Sequence, residues 1–406
     1  MTRDEARALD AADPLAALKE RFVLPPGVLY LDGNSLGAMP AAAPAASARA
    51  VAEEWGTGLV RSWNDAGWID APSRLGDRVA TLIGAAPGEV VVADTTSVNL
   101  HKLLAAAVTA GERRVILTEP GNFPTDLYVA QGVAATIPGV SVRTAPRDAV
   151  PAAIDEDVAV VMLTHVHYQS AATFDLRAVT AAAQAEGALM LWDLSHSTGA
   201  VPVDLNAAGA DLAVGCGYKY LNGGPGAPAF LFVAARHQAR LRSPLSGWMG
   251  HAAPFDFVDD YAPAAGIRRW LAGTPPVLGM AALAAGLATF DGVNLAALFA
   301  KGRALSTLFV AEVTARCPQV RLASPADPAQ RGSHVSFAHP DAYPVMAALI
   351  DRGVIGDFRA PDLLRFGFTP LYLGFEDVWR AADVLADVLA SGVWDDPRYR
   401  RRAAVT

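Results

Sequence analysis

A lysine and an aspartate stand out because each follows an apolar segment that should be buried. Lys219 precedes a glycine-rich turn in Gly-Tyr-Lys-Tyr-Leu-Asn-Gly-Gly, and Asp193 ends the apolar run Leu-Met-Leu-Trp. Lysine is rarely buried, and burial beside a cation lowers its pKa and frees the amine to attack a carbonyl carbon. The alternative is a surface lysine with a buried stem. The glycines favour the first interpretation, because they let the backbone approach a bulky group closely.

A carboxylate at the end of a buried strand is costly unless it is paired. For Asp193, a protonated pyridine nitrogen is a fitting partner, because an aspartate there keeps pyridoxal phosphate (PLP) working as an electron sink. A structural ion pair or a helix cap explains Asp193 equally well when it is taken alone. Asp193 and Lys219 together fit one cofactor with a ring-nitrogen end and a carbonyl end.

The elements that must position these residues alternate between strand and helix. Apolar runs of the buried parallel type are found at Glu89–Val92, Val115–Thr118, Val158–Leu163, Ala188–Trp192, Leu212–Val214 and Phe230–Val233. Helical segments separate most of them, which predicts an α/β fold with a mostly parallel sheet covered on both faces. Ligands of such sheets bind beyond the carboxyl ends of the strands. The polar residues that follow the strands are Thr95–Ser97, Asn122–Asp126, Thr164, Asp193 with His196, and Tyr218 with Lys219.

The segment Thr95–Ser97 follows a strand and opens a helix. The free N–H groups and the positive dipole end of a helix N-terminus suit a phosphate. Serine and threonine are also preferred at ordinary N-caps, so a plain cap stays open as the alternative.

Composition bounds the class of protein. With 406 residues the chain is too long for one compact core, and its net charge of −8 argues against a nucleic-acid partner. Two cysteines, Cys216 and Cys317, cannot form a disulfide framework, which fits a reducing compartment. The N-terminus has no visible signal peptide, and the longest apolar runs, Leu103–Gly111 and Pro275–Phe290, fall short of the ~20 residues of a membrane span. We expect a cytoplasmic protein without a membrane partner.

A metal site is not expected. His165 and His167 would face the same side of a strand, as in a metal pair. No third or fourth ligand stands at a useful spacing, so a zinc site is disfavoured.

Six segments resemble the motifs of bacterial kynureninases. They are Tyr30-Leu-Asp-Gly-Asn-Ser-Leu-Gly37, Asn122-Phe-Pro-Thr-Asp126, Trp192-Asp-Leu-Ser-His196, Tyr218-Lys-Tyr-Leu-Asn-Gly-Gly224, Gly247-Trp-Met-Gly-His251 and Arg365-Phe-Gly-Phe-Thr-Pro-Leu-Tyr372. The resemblance implies a homodimeric PLP enzyme of fold type I, with a mostly parallel seven-stranded sheet. It also implies an N-terminal segment of residues 1–55 packed on the small domain, a large PLP-binding domain of residues 56–290, and a small α+β domain of residues 291–406.

The resemblance also implies roles for individual residues. Lys219 would form the Schiff base with PLP, Asp193 would pair with the ring nitrogen, and Tyr218 would relay a proton. The implied cofactor-binding residues are Thr96, Ser97, Phe123, Pro124, Thr125, Asp126, Thr164, Asp193, His196, Tyr218, Lys219, Trp248 and Thr274. Of these, Trp248 and Thr274 would reach the phosphate bound by the partner subunit. Arg365 would clamp the substrate α-carboxylate with its two-pronged guanidinium, and the other implied substrate-binding residues are Asn34, Ser35 and Trp63.

The implied reaction is hydrolysis of L-kynurenine to anthranilate and L-alanine, with 3-hydroxykynurenine as an alternative substrate. It would belong to tryptophan catabolism by the kynurenine pathway or to NAD biosynthesis. An aminotransferase or cysteine desulfurase of the same fold, or a PLP-binding regulatory protein, stays open as the alternative. The stretch Gln169-Ser-Ala-Ala172 departs from the family, whose members usually carry a Thr-Gly pair there, so we expect an effect on rate or substrate preference.

Overall fold

The computed structural model describes residues 1–402, in which the strands form a seven-stranded sheet, a four-stranded sheet and two two-stranded sheets, with flanking helices. The α-helices are α1 (Arg3–Ala12), α2 (Ala43–Arg49), α3 (Ser62–Asp65), α4 (Ala71–Ile83), α5 (Thr96–Thr109), α6 (Pro124–Thr136), α7 (Leu176–Ala185), α8 (Ala235–Gln238), α9 (Val277–Ala288), α10 (Leu295–Arg316), α11 (Ala342–Ile350) and α12 (Phe375–Ser391). The strands are β1 (Phe22–Val23), β2 (Leu29–Tyr30), β3 (Met39–Pro40), β4 (Val90–Val92), β5 (Val115–Thr118), β6 (Ser141–Thr144), β7 (Val158–Thr164), β8 (Leu189–Asp193), β9 (Leu212–Gly215), β10 (Phe230–Val233), β11 (Arg321–Leu322), β12 (His334–Ala338), β13 (Val354–Ile355), β14 (Asp357–Arg359) and β15 (Leu363–Gly367).

The larger sheet has seven strands in the order β4-β10-β9-β8-β7-β5-β6. Its neighbouring strands are parallel except where β10 pairs with β4 and β9. Strand β7 is buried along its whole length, as its valine-rich sequence predicts. Apolar residues of α4 and α7 cover one face of the sheet, and those of α5 and α6 cover the other. The predicted α/β fold with a mostly parallel seven-stranded sheet is therefore confirmed.

The second sheet is antiparallel and belongs to the C-terminal part of the chain. Its order is β11-β12-β15-β14, and α10 and α11 pack against it while α12 packs against α10. The register places Asp357 of β14 directly opposite Arg365 of β15. This cross-strand pair becomes important for the site below.

The N-terminal segment contacts this C-terminal part at several points. Strand β2 pairs in parallel with β13, α1 packs against α12, and Arg3 and Arg7 both form ion pairs with Glu376. The same segment touches the larger sheet's loops, where the N–H of Gly37 donates to the carbonyl of Tyr218 at 2.8 Å. On the basis of these contacts we propose that the chain divides into an N-terminal segment of residues 1–55, a large domain of residues 56–290 and a small domain of residues 291–406.

Some elements differ from the sequence-based prediction. Helix α2 ends at Arg49, and the chain continues as a π-helical stretch over Ala50–Gly58, where two glycines weaken the α form. Strands β6 and β14 were not predicted, because both are short and carry charged residues instead of an apolar run. No helix among residues 1–402 is both long and apolar enough to cross a membrane.

Candidate active site

Lys219 is distinguished from the other lysines of the chain by what its amine contacts. The other three pair with carboxylates, as Lys19–Asp377, Lys102–Asp94 and Lys301–Asp13. Lys219 is only 9% exposed, and its Nζ lies 3.1 Å from Nε2 of His196. No carboxylate oxygen in the described part of the chain is within 4.0 Å of that nitrogen. A buried amine that no carboxylate contacts is suited to act as a nucleophile toward a carbonyl.

Two histidines, His196 and His334, lie beside this amine with their rings tilted by 52° to each other. The ring of His334, on β12, has its centroid 5.2 Å from that of His196. Burial and then the charge of Lys219 lower the pKa of His196, and burial and then the charge of Arg365 lower that of His334. Nδ1 of His196 and both ring nitrogens of His334 have no partner among residues 1–402. The site therefore holds neutral imidazoles with free nitrogen atoms.

A buried pair of carboxyl groups lies where β7 and β8 end. Asp193 closes β8 opposite Thr164 of β7, and the Thr164 hydroxyl lies 3.1 Å from Oδ2 of Asp126 in the first turn of α6. Burial, and then the charge of Asp193, raises the pKa of Asp126. Burial also raises the pKa of Asp193, although the N–H of Ser195 donates to it at 2.7 Å. Because adjacent carboxylates resist double ionisation, the pair holds one proton and offers one negative charge.

Helix α5 begins at the same edge of the sheet. Thr95 is its N-cap and accepts the N–H of Val98 at 3.3 Å, so the plain capping role applies to Thr95. The hydroxyls of Thr96 and Ser97 are half-buried and have no hydrogen-bond partner within the described residues. The free N–H groups of this helix start and the two hydroxyls could hold a phosphate.

Aromatic residues frame the amine on two sides. Nζ of Lys219 lies 5.8 Å from the ring centroid of Phe123 and 5.8 Å from that of Tyr218. Phe123 is 36% exposed and directly precedes the first residues of α6, Pro124 and Thr125, which are half-buried. Burial raises the pKa of Tyr218, so its hydroxyl stays protonated and can donate. Phe123 offers a flat face to a ring, and Tyr218 offers a proton.

Nearly all hydrogen-bond donors of the Arg365 guanidinium donate to other groups of the protein. It is 1% exposed; its Nε donates to Oδ1 of Asp357 at 2.8 Å, and its Nη2 donates to Oδ2 of the same residue. Nη2 also donates to Oγ of Ser35 at 2.9 Å, and Nη1 donates to the carbonyl of Tyr168 at 2.6 Å. The two-pronged edge predicted to clamp a carboxylate therefore faces Asp357. Asn34 is buried beside β15, and neither amide atom of its side chain has a partner in the described chain.

Three predicted site residues are not brought to Lys219 within one chain. Trp63 packs edge-on against Trp248 and Trp68, at 5.9 and 6.1 Å between ring centroids. Thr274 is exposed. In the part of the chain that the structure describes, no hydrogen bond or ring contact joins Trp63, Trp248 or Thr274 to Lys219, Asp193 or Arg365.

Four residues of the site were not predicted from the sequence: Asp32, His334, Asp357 and Arg359. Asp32 lies inside the segment Tyr30–Gly37, which resembles a family motif, so its position in that motif could have identified it as a site residue. Asp357 and Arg359 are two residues apart and shortly precede Arg365, a spacing that puts both on one face of a strand. His334 carried no such signal, because a single histidine in an apolar strand is ordinary.

The side chains fit PLP at three points. Lys219 would take the aldehyde, the Asp193–Asp126 pair would take the ring nitrogen, and Thr96 and Ser97 at the start of α5 would take the phosphate. Two buried polar atoms of the site have no hydrogen-bond partner among residues 1–402, namely Oδ1 of Asp126 and Nδ1 of His196. A bound polar ring would satisfy such atoms.

The histidine pair and the cysteines have ordinary surroundings. Nδ1 of His165 lies 2.9 Å from the Ser197 hydroxyl, and Nε2 of His167 lies 3.0 Å from the carbonyl of Gly121. Among residues 1–402, no group of three His, Cys, Asp or Glu side chains could hold a metal ion. Cys216 and Cys317 are buried and unpaired.

Known proteins resemble this chain in sequence and in fold. A kynureninase from Burkholderia pseudomallei (strain 1106a) is 53% identical over 415 residues, covering 100% of both chains, and the family model "Kynureninase C-terminal domain" matches residues 298–385. The fold resembles a cysteine desulfurase from Thermococcus onnurineus NA1, with a TM-score of 0.78, 20% identity and coverage of 92% of this chain and 98% of that one. It also resembles a variant of C-DES with glycine covalently linked to the PLP cofactor, with a TM-score of 0.80, 17% identity and coverage of 91% and 99%. The fold is thus that of fold-type-I PLP enzymes, and the chain belongs to the kynureninase family.

Proposed function

We propose that this chain is a PLP-dependent hydrolase that cleaves the Cβ–Cγ bond of L-kynurenine to give anthranilate and L-alanine. The observation that carries the proposal is the buried amine of Lys219, which lacks a carboxylate partner and lies among His196, Phe123 and Tyr218. The full-length identity to a kynureninase supports the choice of substrate.

The bound cofactor would supply an aldehyde for the substrate amine and a cationic ring that withdraws electrons from Cα. Asp193 would keep the ring nitrogen of the cofactor protonated, since a buried carboxylate stabilises an adjacent cation. The amine of Lys219 would take the proton from Cα of the substrate. Asp126 holds the proton of the carboxyl pair and keeps Asp193 in position.

The overall reaction consumes one water. Its hydroxyl ends in the carboxyl group of anthranilate, and its hydrogen ends on the methyl group of alanine. The hydroxyl of Tyr218, whose pKa is raised by burial and whose ring centroid lies 5.8 Å from Nζ of Lys219, would donate to the γ-carbonyl oxygen as water adds. Arg365 and its neighbours hold the α-carboxylate, which orients the substrate around Cα.

A direct assay separates this function from the alternatives. With L-kynurenine and no added keto acid, we expect fluorescent anthranilate and an equal amount of alanine. An aminotransferase would need a keto acid, and a desulfurase would release sulfide from cysteine. Cys216 argues against a desulfurase because it is 4% exposed next to β9 and cannot reach a substrate easily. Turnover that depends on a keto acid, or absence of anthranilate, would overturn the proposal.

The enzyme is also proposed to be a homodimer whose subunits complete each other's sites. Trp248 and Thr274 lie away from Lys219 within one chain, and the neighbouring Phe255 and Phe257 are 58% and 80% exposed. Exposed aromatic residues of this kind favour an interface. Mixing inactive Lys219→Ala and weakened Trp248→Ala proteins should restore activity, because one hybrid site contains both native residues. Failure to regain activity in a verified hybrid would contradict the shared site.

Three finer statements belong to the same proposal. Trp63 and Thr274 favour L-kynurenine over 3-hydroxykynurenine, as their family positions suggest. A cytoplasmic location fits the free cysteines. The pathway would be tryptophan catabolism or supply of NAD precursors. Steady-state rates on both substrates test the first statement, and a higher kcat/KM for 3-hydroxykynurenine would reverse it.

A further inference from the structure

Most N–H groups of Arg365 already donate to protein acceptors, so few remain for a substrate. A guanidinium has five N–H groups. Four of those of Arg365 are engaged, two by Asp357 and one each by Ser35 and the carbonyl of Tyr168. One N–H on Nη1 remains. A substrate carboxylate has two oxygens with several lone pairs, so Arg365 alone cannot satisfy it.

Arg359 has the free donors that Arg365 lacks. It stands two residues from Asp357 on the same strand, so both side chains lie on one face. Its Nη2 donates to Oδ2 of Asp357 at 2.7 Å and to Oγ of Ser35 at 3.2 Å. Its Nε and Nη1 have no partner within residues 1–402. The side chain is 37% exposed. Its Nε is buried, so Nη1, with two N–H groups, is the donor of Arg359 that remains open to a ligand.

The charge of Arg359 acts on groups of the site described above. Its positive charge contributes to lowering the pKa of His196, after burial and the charges of Lys219, His334 and Arg365. It also acts against the burial that raises the pKa of Tyr218. At the end of the same strand, the side-chain amide of Gln169 donates to the carbonyl of Ala360 at 3.1 Å. That contact ties β14 to the loop that carries Tyr168.

The charges around these two arginines do not cancel. Asp357 is ionised, because the hydrogen bonds and charge of Arg365 outweigh the effect of burial and lower its pKa. Burial and then the charge of Asp357 raise the pKa of Asp32 to about 8, so Asp32 is mostly neutral at pH 7. Two cations thus face one anion, and the cluster keeps one unmatched positive charge. A carboxylate is the complement of that charge.

We propose that Arg359 supplies the second guanidinium that binds the α-carboxylate of the substrate, beside the one free N–H of Arg365. Asp357 and Ser35 are the positioning residues that hold both guanidinium groups at a fixed separation. The identity of the substrate rests on the proposed function, whereas recognition of a carboxylate rests on these contacts.

The test compares Arg359→Gln with Arg143→Gln in the holoenzyme. Arg143 is a matched control. It lies on edge strand β6 of the larger sheet, its side chain is 38% exposed, and it forms an ion pair with Asp155. Calorimetric titration would give dissociation constants for L-alanine, which has the carboxylate, and for kynuramine, which is L-kynurenine without it. We expect Arg359→Gln to weaken L-alanine binding about 10- to 100-fold and to leave kynuramine binding unchanged. The control should change neither constant.

Two results would overturn the proposal. One is wild-type affinity of Arg359→Gln for L-alanine. The other is an equal loss for both ligands, which would mean that Arg359 only supports the fold of the site. Circular dichroism checks folding, and Arg359→Lys, which keeps the charge, should recover part of the L-alanine affinity because a point charge replaces a fork only partly. If the wild-type enzyme does not cleave L-kynurenine, the proposed function fails, while the two titrations still decide the role of Arg359.

Discussion

At the scale of single residues, the paired carboxyl groups of Asp193 and Asp126 set the electrostatics of the site. Replacing Asp193 by Asn removes the negative charge that would stabilise a protonated ring nitrogen. An uncompensated buried cation costs about 3–5 kcal/mol, so we expect kcat to fall by about 100-fold or more. Asp126→Asn leaves the charge on Asp193 and should cost less. Steady-state kinetics of the two variants measure the difference, and equal kinetics of Asp193→Asn and the wild type would remove Asp193 from this role.

Asp32 makes the reaction sensitive to alkaline pH. Its pKa is raised to about 8, first by burial and then by Asp357. As pH rises through that value Asp32 ionises, the unmatched positive charge beside Arg365 disappears, and kcat/KM for L-kynurenine should fall. The titratable or charged groups that interact electrostatically with Asp32 are Asp357, Arg365, Arg359, Tyr30, Tyr220 and Tyr372.

The Asp32→Asn variant isolates that effect. Its side chain is neutral at every pH, so the fall in kcat/KM near pH 8 should weaken or vanish, while ionisation of the substrate amine affects both proteins equally. Complete pH profiles of the two enzymes decide the matter. An identical alkaline limb in both would assign the pH dependence to another group.

Ala171 lies in the stretch where this chain departs from its family. It is buried and has φ of 62°, a left-handed conformation that glycine adopts freely and alanine does not. Ala171→Gly should therefore stabilise the protein by about 1 kcal/mol. Ala172, which has no positive φ, is the control, and its change to Gly should destabilise by roughly 0.5–1 kcal/mol. Urea unfolding gives the change in the free energy of unfolding for both variants. Destabilisation by Ala171→Gly would contradict backbone strain at Ala171.

At the scale of elements, the strands that end in Thr164 and Asp193 could be predicted because they are continuous apolar runs. Their parallel pairing brings those residues together, as the general behaviour of such sheets leads one to expect. Strand β14 could not be predicted, because Asp357-Phe-Arg359 has no apolar period. Its register opposite Arg365 depends on tertiary pairing with β15. For that reason, the residues that occupy the fork of Arg365 became visible only in the structure.

The N-terminal segment supports the lysine loop through Gly37. A Cβ at position 37 would lie 2.3 Å from the carbonyl oxygen of Lys219, which is backbone and cannot move aside cheaply. Gly37→Ala should destabilise the protein by about 1–3 kcal/mol and reduce activity more than stability alone explains. Gly111→Ala is the control, since nothing lies within 4 Å of a Cβ there. Thermal unfolding and turnover of the two variants provide the comparison, and similar behaviour of both would refute the contact.

At the scale of the whole molecule, one site is built from three distant parts of the chain. Ser35 comes from the N-terminal segment, Tyr168 from a loop of the larger sheet, and Asp357 from the smaller sheet, and all three contact Arg365. The motifs in the sequence indicated which residues belong together. The arrangement of Trp248 and Thr274 could not be derived in the same way, because no hydrogen bond or ring contact in the described part of the chain joins either residue to Lys219.

The most direct test asks which lysine binds the cofactor. Borohydride reduction of the PLP-loaded enzyme fixes the cofactor to its amine, and mass spectrometry of the resulting peptides locates it. Lys102 and Lys301 are also buried, but both pair with aspartates, so the added mass should be on the Lys219 peptide alone. A cofactor mass on Lys19, Lys102 or Lys301, or on no lysine at all, would contradict the account.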